Sequence, residues 1–197
     1  MNELNLETLS SWKAMNPRWW LVSPLMTEEI DWIEASGKER NEFGKRKGWR
    51  SRTKDTDDRW NVMGIAGEWA ASLVLNLKIG KITGSVEELN QGDIGGFCEV
   101  RTSIGKLKWQ WDLGGFESVV KRKLGRPWVH CIGALYPGSM IVTGWAWGWE
   151  ILRSGKTRHV DFKPSDPIRF LEQDQLRDIK TLFDEECWRK ASETRLF

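Results

Sequence analysis

The sequence predicts an α/β chain with a central mixed β-sheet flanked by α-helices. Three observations predict it. Val62, Ile65, Ala66, Trp69, Ala70, Leu73 and Leu77 recur at the three- and four-residue spacing of a packed helix. Beyond Gly80 the pattern changes to short alternating runs separated by glycine, which read as strands. A second helical stripe, Leu176, Ile179, Leu182 and Phe183, lies near the C-terminus. The 197 residues fit one domain. Within it, 1–56 reads as an N-terminal helical arm with a basic segment, 57–160 as the α/β core and 161–197 as a C-terminal helix packing on that core.

Taken in order, residues 1–24 are Trp-rich and interrupted by Pro17 and Pro24, an irregular arm with one short helix. "TEEIDWIEASGKERNEFGKRK" places Thr27 as an N-cap, acids in the first turn and an apolar face of Ile30, Ile33 and Trp32, giving a helix over about 27–46. The second helix starts at Asp57 or Asp58. "KIT", "GDI", "FCEVRTS" and "KLKWQWDL" follow as strands of a meander. "GGFESVVKRKLGR" is a short helix closed by Gly125. "WVHCIGALY" and "SMIVTGWAW" are two more strands around a Pro137–Gly138 turn. "GWEILRSG" supplies a half-turn of helix, and "EQDQLRDIKTLFDEECWRKA" the terminal helix.

Composition removes several function classes. Hydrophobic residues are 40% and charged residues 29% of the chain, enough for a core and unlike a disordered segment. Thirty basic against 28 acidic residues leave a net charge of +2, so a basic surface has to come from clustering. Three scattered cysteines and two isolated histidines, His130 and His159, argue against zinc and disulfide frameworks and for a reducing cytoplasm. The N-terminus lacks the pattern of a signal peptide. No apolar run reaches the roughly 20 residues of a membrane span, so a soluble protein is expected. Fourteen Trp against one Tyr is the unusual feature. An indole fills a core or stacks on a base. The stripe Trp145, Trp147 and Trp149 reads as a strand face packed under a helix, with a stacking platform as the alternative.

The chemistry concentrates in "GDIGGFCEVRTS", residues 92–103. Strand alternation puts Phe97, Glu99, Arg101 and Ser103 on one face and Cys98, Val100 and Thr102 on the other, the core side. Asp93 stands opposite Glu99 if the glycine turn is three residues long or bulged; a two-residue turn puts it on the wrong face. Opposed carboxylates repel unless a divalent cation lies between them, and Mg²⁺ takes one or two carboxylates together with waters and phosphate oxygens. The alternative is a solvated hairpin with a local Glu–Arg pair. A third acid, Glu68, lies on the preceding helix in "GIAGEWAA". Gly64 and Gly67 there cost the helix about 1 kcal/mol each and allow close approach to other backbone.

A helix with Glu, a strand with Asp and a strand with Glu-x-Lys is the layout of the PD-(D/E)XK nuclease superfamily, and "AGE", "GDI" and "EVR" resemble its three motifs in order over about residues 57–150. The chain is similar to small phage-type members that carry "VR(T/S)" and a following "GW" segment, here "TGWAWGWE". The resemblance implies a restriction-endonuclease-like core and hydrolysis of DNA phosphodiesters with Mg²⁺ or Mn²⁺. Asp93, Glu99 and the Val100 carbonyl would be metal ligands and Glu68 an assisting acid. Arg101 stands where the superfamily has the lysine that positions water and offsets charge. Arginine keeps its proton and presents a planar fork, so the exchange is not conservative. Lys106 or Lys108 could stand in for the lysine. The alternative is a catalytically inactive nuclease fold that binds nucleic acid or protein, of the kind a phage-encoded inhibitor would use in the host cytoplasm. Two basic clusters fit DNA, with RNA left open: Lys45, Arg46, Lys47, Arg50 and Arg52, and then Lys121, Arg122 and Lys123, with Lys108 between them in sequence.

Overall fold

A computed structural model describes residues 18–22, 26–48, 57–84, 91–104, 112–154, 156–161 and 163–184. Strand β1 (Trp20–Val22) is followed by helices α1 (Thr27–Arg46) and α2 (Asp57–Leu75). Then come β2 (Glu99–Ser103), β3 (Leu113–Phe116), the short helix α3 (Glu117–Arg122), β4 (Pro127–Ile132), β5 (Met140–Trp147) and helix α4 (Gly148–Arg153). Two short strands, β6 (Thr157–Arg158) and β7 (Ile168–Leu171), precede two 3-10 turns at Gln173–Gln175 and Ile179–Phe183.

The main sheet has the order β1-β5-β4-β2. It is mixed: β2 runs parallel to β4, with Glu99 beside Trp128 and Arg101 beside His130, while β4–β5 and β5–β1 are antiparallel. A parallel pair needs a crossover, and β3 and α3 lie within it. A second sheet, β3-β7-β6, is antiparallel. Each face of the main sheet carries its own core. Ile65, Ala66 and Trp69 of α2 are buried with Cys98, Val100, Val129, Cys131 and Val142. On the opposite face Trp128 and Ala146 are buried with Leu113, Val120, Ile151 and Leu171. Alternation along β2 therefore sends Val100 toward α2 and Glu99 and Arg101 toward the second sheet.

Both long helices match their sequence patterns, and the differences have local causes. The cap of α1 is Met26, not Thr27: the Met26 amide donates to Glu29 Oε2 at 2.8 Å, so an acid closes the first turn. Trp32 (39% exposed), Leu73 (53%) and Phe183 (41%) lie outside the core although each fits an apolar stripe. The arm expected to be irregular contains β1, whose apolar residues pair with Met140–Val142 at the start of β5.

The terminal helix is a correction. Residues 173–184 form two separate 3-10 turns, and Arg177 between them exchanges backbone hydrogen bonds with Trp145 in both directions, at 2.9 and 3.1 Å. The pairing of β1 ends at Val142, which leaves the remaining edge of β5 needing donors and acceptors. Satisfying that edge outweighs the helical period, although Leu176, Ile179 and Leu182 are still buried. The rest of that expected helix, from 185 on, lies outside the described residues, as does 105–111 within the expected strand "KLKWQWDL". No helix among the described residues is long and apolar enough to cross a membrane.

Candidate functional site

Gly67 lets α2 lie against β2. A Cβ there would come within 1.8 Å of Thr102 Oγ1, so a larger residue fits only if the Thr102 side chain gives way. One position on, Glu68 is carried into the protein and is 4% exposed. Arg40 of α1 meets it in a fork, Nη1 donating to Oε1 at 2.6 Å and Nη2 to Oε2 at 2.8 Å. Burial pushes the Glu68 carboxyl up to about 7, against the lowering effect of Arg40 and with a further push from Asp93.

The glycine turn has the length the sequence required for Asp93 to stand opposite Glu99. Ile94 and Cys98 pair across Gly95, Gly96 and Phe97, and both glycines have positive φ, +58° and +76°. The two carboxylates nevertheless do not meet. Asp93 Oδ2 accepts from the Val100 amide at 2.7 Å, and Arg101 Nη1 lies 3.8 Å from the same oxygen. Arg101 Nη1 also donates to the Val100 carbonyl at 2.9 Å. Asp93 and Arg101 thus hold the two polar groups of Val100, and the carbonyl that the resemblance offered to a metal is occupied by a guanidinium. The Arg101 guanidinium lies over the Trp128 ring, 4.6 Å from its centroid.

Glu99 is 0% exposed rather than open to a cleft or solvent. Lys123 Nζ donates to its Oε2, and Arg126 Nη1 donates to Oε1 at 2.6 Å. An uncompensated carboxylate would not be stable there, and the two cations supply the compensation. Lys123, expected to contact phosphate, is turned inward with 14% of its side chain exposed.

The three acids are therefore divided. Glu68 sits on the α2 face, Glu99 on the opposite face, and Asp93 is engaged with backbone between them. Among the described residues no three His, Cys, Asp or Glu side chains are grouped so that they could hold a metal ion. The donor set does not fit a shared Mg²⁺ or Mn²⁺ as arranged, since each carboxylate already faces a protein cation.

Of the expected nucleic-acid contacts, Lys45, Arg46 and Lys47 are exposed at the end of α1, with Lys47 above the Phe43 ring. Lys121 pairs with Glu117 one helical turn away at 2.5 Å and remains 57% exposed; Arg122 is exposed. Arg50, Arg52, Lys106 and Lys108 lie outside the described residues. Trp145 and Trp147 are buried edge to face, with centroids 5.3 Å apart, so they pack rather than stack on a ligand. His159 is exposed, and His130 is buried with Nδ1 2.9 Å from Thr143 Oγ1.

Sequence reasoning missed Arg40, whose partner is 28 positions away. It missed Arg126, which meets Glu99 from 27 positions away. It also missed a cleft of about 230 Å³ between the two sheets, lined by Trp60, Arg101, Ser103, His130, Arg158 and Phe170 among others. The strands β6 and β7 that bring Arg158 and Phe170 there have no clear signature in the sequence. These features define a mixed α/β protein whose buried acids are internally paired and whose cations border an aromatic cleft. Comparison of the chain with protein-family models, curated proteins and solved structures found no match to any of them.

Proposed function

We propose that the chain is a nucleic-acid-binding protein built on a nuclease-like layout, in which the acids of the layout serve as structural anions. The observation that carries this reading is the state of Arg101. It occupies the position of the superfamily lysine, yet it lies over the Trp128 ring with its side chain 34% exposed, at a cleft that also receives Arg158. A guanidinium held against a ring and partly open is suited to a phosphate, which it grips through paired donors. The exposed Lys45, Arg46, Lys47, Lys121 and Arg122 add sequence-independent attraction to a phosphate backbone. The order of elements also supports the nuclease-like reading, with the Glu-bearing helix, the Asp turn, the "EVR" strand and a crossover to a parallel strand. Metal-dependent hydrolysis gains no comparable support, because Glu68 and Glu99 are each committed to protein cations on opposite faces.

The test is binding of labelled single- and double-stranded DNA and RNA across a salt series, with cleavage followed in parallel in Mg²⁺ or Mn²⁺. Binding is expected to weaken steeply with salt and to fall about tenfold in Arg101→Ala, in keeping with loss of a charged contact. No cleavage is expected with either metal. Divalent-dependent cleavage lost in both Asp93→Ala and Glu99→Ala would establish the nuclease instead. Absence of any salt-sensitive binding would remove both readings.

A further inference from the structure

The cleft between the sheets has a chemistry that backbone binding alone does not require. Its volume, about 230 Å³, is below the range of roughly 300–1,000 Å³ typical of sites for drug-sized ligands, so it suits a small flat group. Two guanidinium groups border it, each already laid against a ring. Arg101 lies over Trp128, and Arg158 over Phe170 at 4.7 Å from the centroid. Both remain partly open, with side-chain exposures of 34% and 31%. Asp112, also in the lining, pairs with Arg158 at 3.1 Å, and Asp93 lies 3.8 Å from Arg101, so each guanidinium also faces a carboxylate and offers a phosphate its remaining donors. At the mouth stands Trp60, 48% exposed, with a large apolar ring in solvent. Ser103, on the same face of β2 as Arg101, brings a hydroxyl that is shut away from solvent and has no hydrogen-bond partner among the described residues. A polar atom in that condition calls for a partner, and a rotation of the Ser103 side chain toward the cleft would let a ligand supply one.

An exposed indole, two pre-oriented planar cations and an unsatisfied hydroxyl match the parts of a nucleotide: a base to stack, a phosphate to grip and an edge to hydrogen-bond. A base inside a duplex has its faces covered by its neighbours, so the match is to an unpaired one. We infer that this cleft receives a single unpaired nucleotide, its base against Trp60 and its phosphate at Arg101 and Arg158. The inference rests on the nucleic-acid-binding reading and names the form of nucleic acid it prefers. An unpaired end or loop of a strand and a free mononucleotide share this chemistry.

The experiment compares a fluorescein-labelled dT12 strand, a 12-base-pair duplex and thymidine 5′-monophosphate as competitor, on the full chain and on Trp60→Ala and Ser103→Ala. Trp60 is half exposed and Ser103→Ala removes one oxygen, so both variants are expected to fold, which circular dichroism checks. The single strand should bind at least tenfold more tightly than the duplex. Trp60→Ala should remove most of that preference while leaving duplex affinity unchanged, and Ser103→Ala should weaken the strand severalfold. Trp60-dependent binding of the mononucleotide with no gain for the strand would support the cleft and assign it to the free ligand. Equal affinity for strand and duplex, or a preference indifferent to Trp60, would overturn the inference while leaving nucleic-acid binding intact. Absence of all nucleic-acid binding would instead remove the broader reading.

Discussion

The two buried acids of the layout, Glu68 and Glu99, lie on opposite faces of the same sheet and are compensated differently. Glu68 has one partner, Arg40, in a fork that uses both carboxylate oxygens. Glu99 has two, Lys123 and Arg126, one on each oxygen. The first arrangement is neutral, and burial, with a smaller push from Asp93, raises its carboxyl to about 7. The second sets two cations against one carboxylate. The contrast teaches that an acid in a nuclease-like position need not be free for a metal. What decides is whether the surrounding elements bring cations of their own, and here helix α1 and the turn after α3 do so.

The largest expected effect comes from Glu99→Ala, which takes the buried carboxylate away from two partly buried cations. Unfolding in urea should show a loss of about 3 kcal/mol, within the range for breaking a buried pair from one side. Glu68→Ala strands only Arg40 and should cost less; an equal or larger loss there would break the comparison. Gly67→Ala tests the helix–strand approach that places Glu68. Its methyl would meet Thr102 Oγ1 at 1.8 Å, so a loss of about 1–3 kcal/mol is expected from overpacking.

A smaller effect sharpens the contrast through pH. Because the folded Glu68 carboxyl is raised from 4.5 to about 7, the folded state binds a proton more readily than the unfolded chain. Its stabilising contribution is full below about pH 4.5 and is lost as pH rises to about 7. Stability of the wild type relative to Glu68→Gln should therefore fall across that window, with Arg40, Asp93 and Arg101 as the charges facing the group. A difference that rises with pH would reverse the assignment. The smallest effect concerns Cys98 and Cys131, whose thiols are buried and raised by that burial. Neither should react with a thiol reagent until denaturant is added, as mass mapping of the labelled peptides would show.

Much of this arrangement was legible in the sequence. The boundaries of α1 and the start of α2 followed from caps and periodicity, which are local properties. The division of β2 into a core face and a polar face followed from alternation. The length of the glycine turn was not legible, since Gly95 and Gly96 permit a two-residue turn as well as the three-residue one that forms. What else was not legible depends on distant partners. Nothing near Glu99 announces that Lys123 and Arg126, 24 and 27 positions on, will close over it. The same holds for Arg177, which completes the edge of β5 instead of continuing a helix. Ion pairs across elements and backbone pairing at sheet edges leave no periodic trace, so a motif is readable where its electrostatic surroundings are not.

The parallel register of β2 on β4 has a consequence for how the chain assembles. β4 and β5 are joined by a link of only seven residues and can zip as a local hairpin. β2 can join them only after the chain between Ser103 and Pro127 has been drawn into a loop, an entropic cost that precedes any gain from the contact. The step that brings Arg101 beside His130 also brings Glu99 to Lys123 and Arg126, so one late docking event completes the sheet, the buried charge cluster and one wall of the cleft. Amide hydrogens of the β4–β5 hairpin should accordingly gain protection earlier in refolding than those of β2.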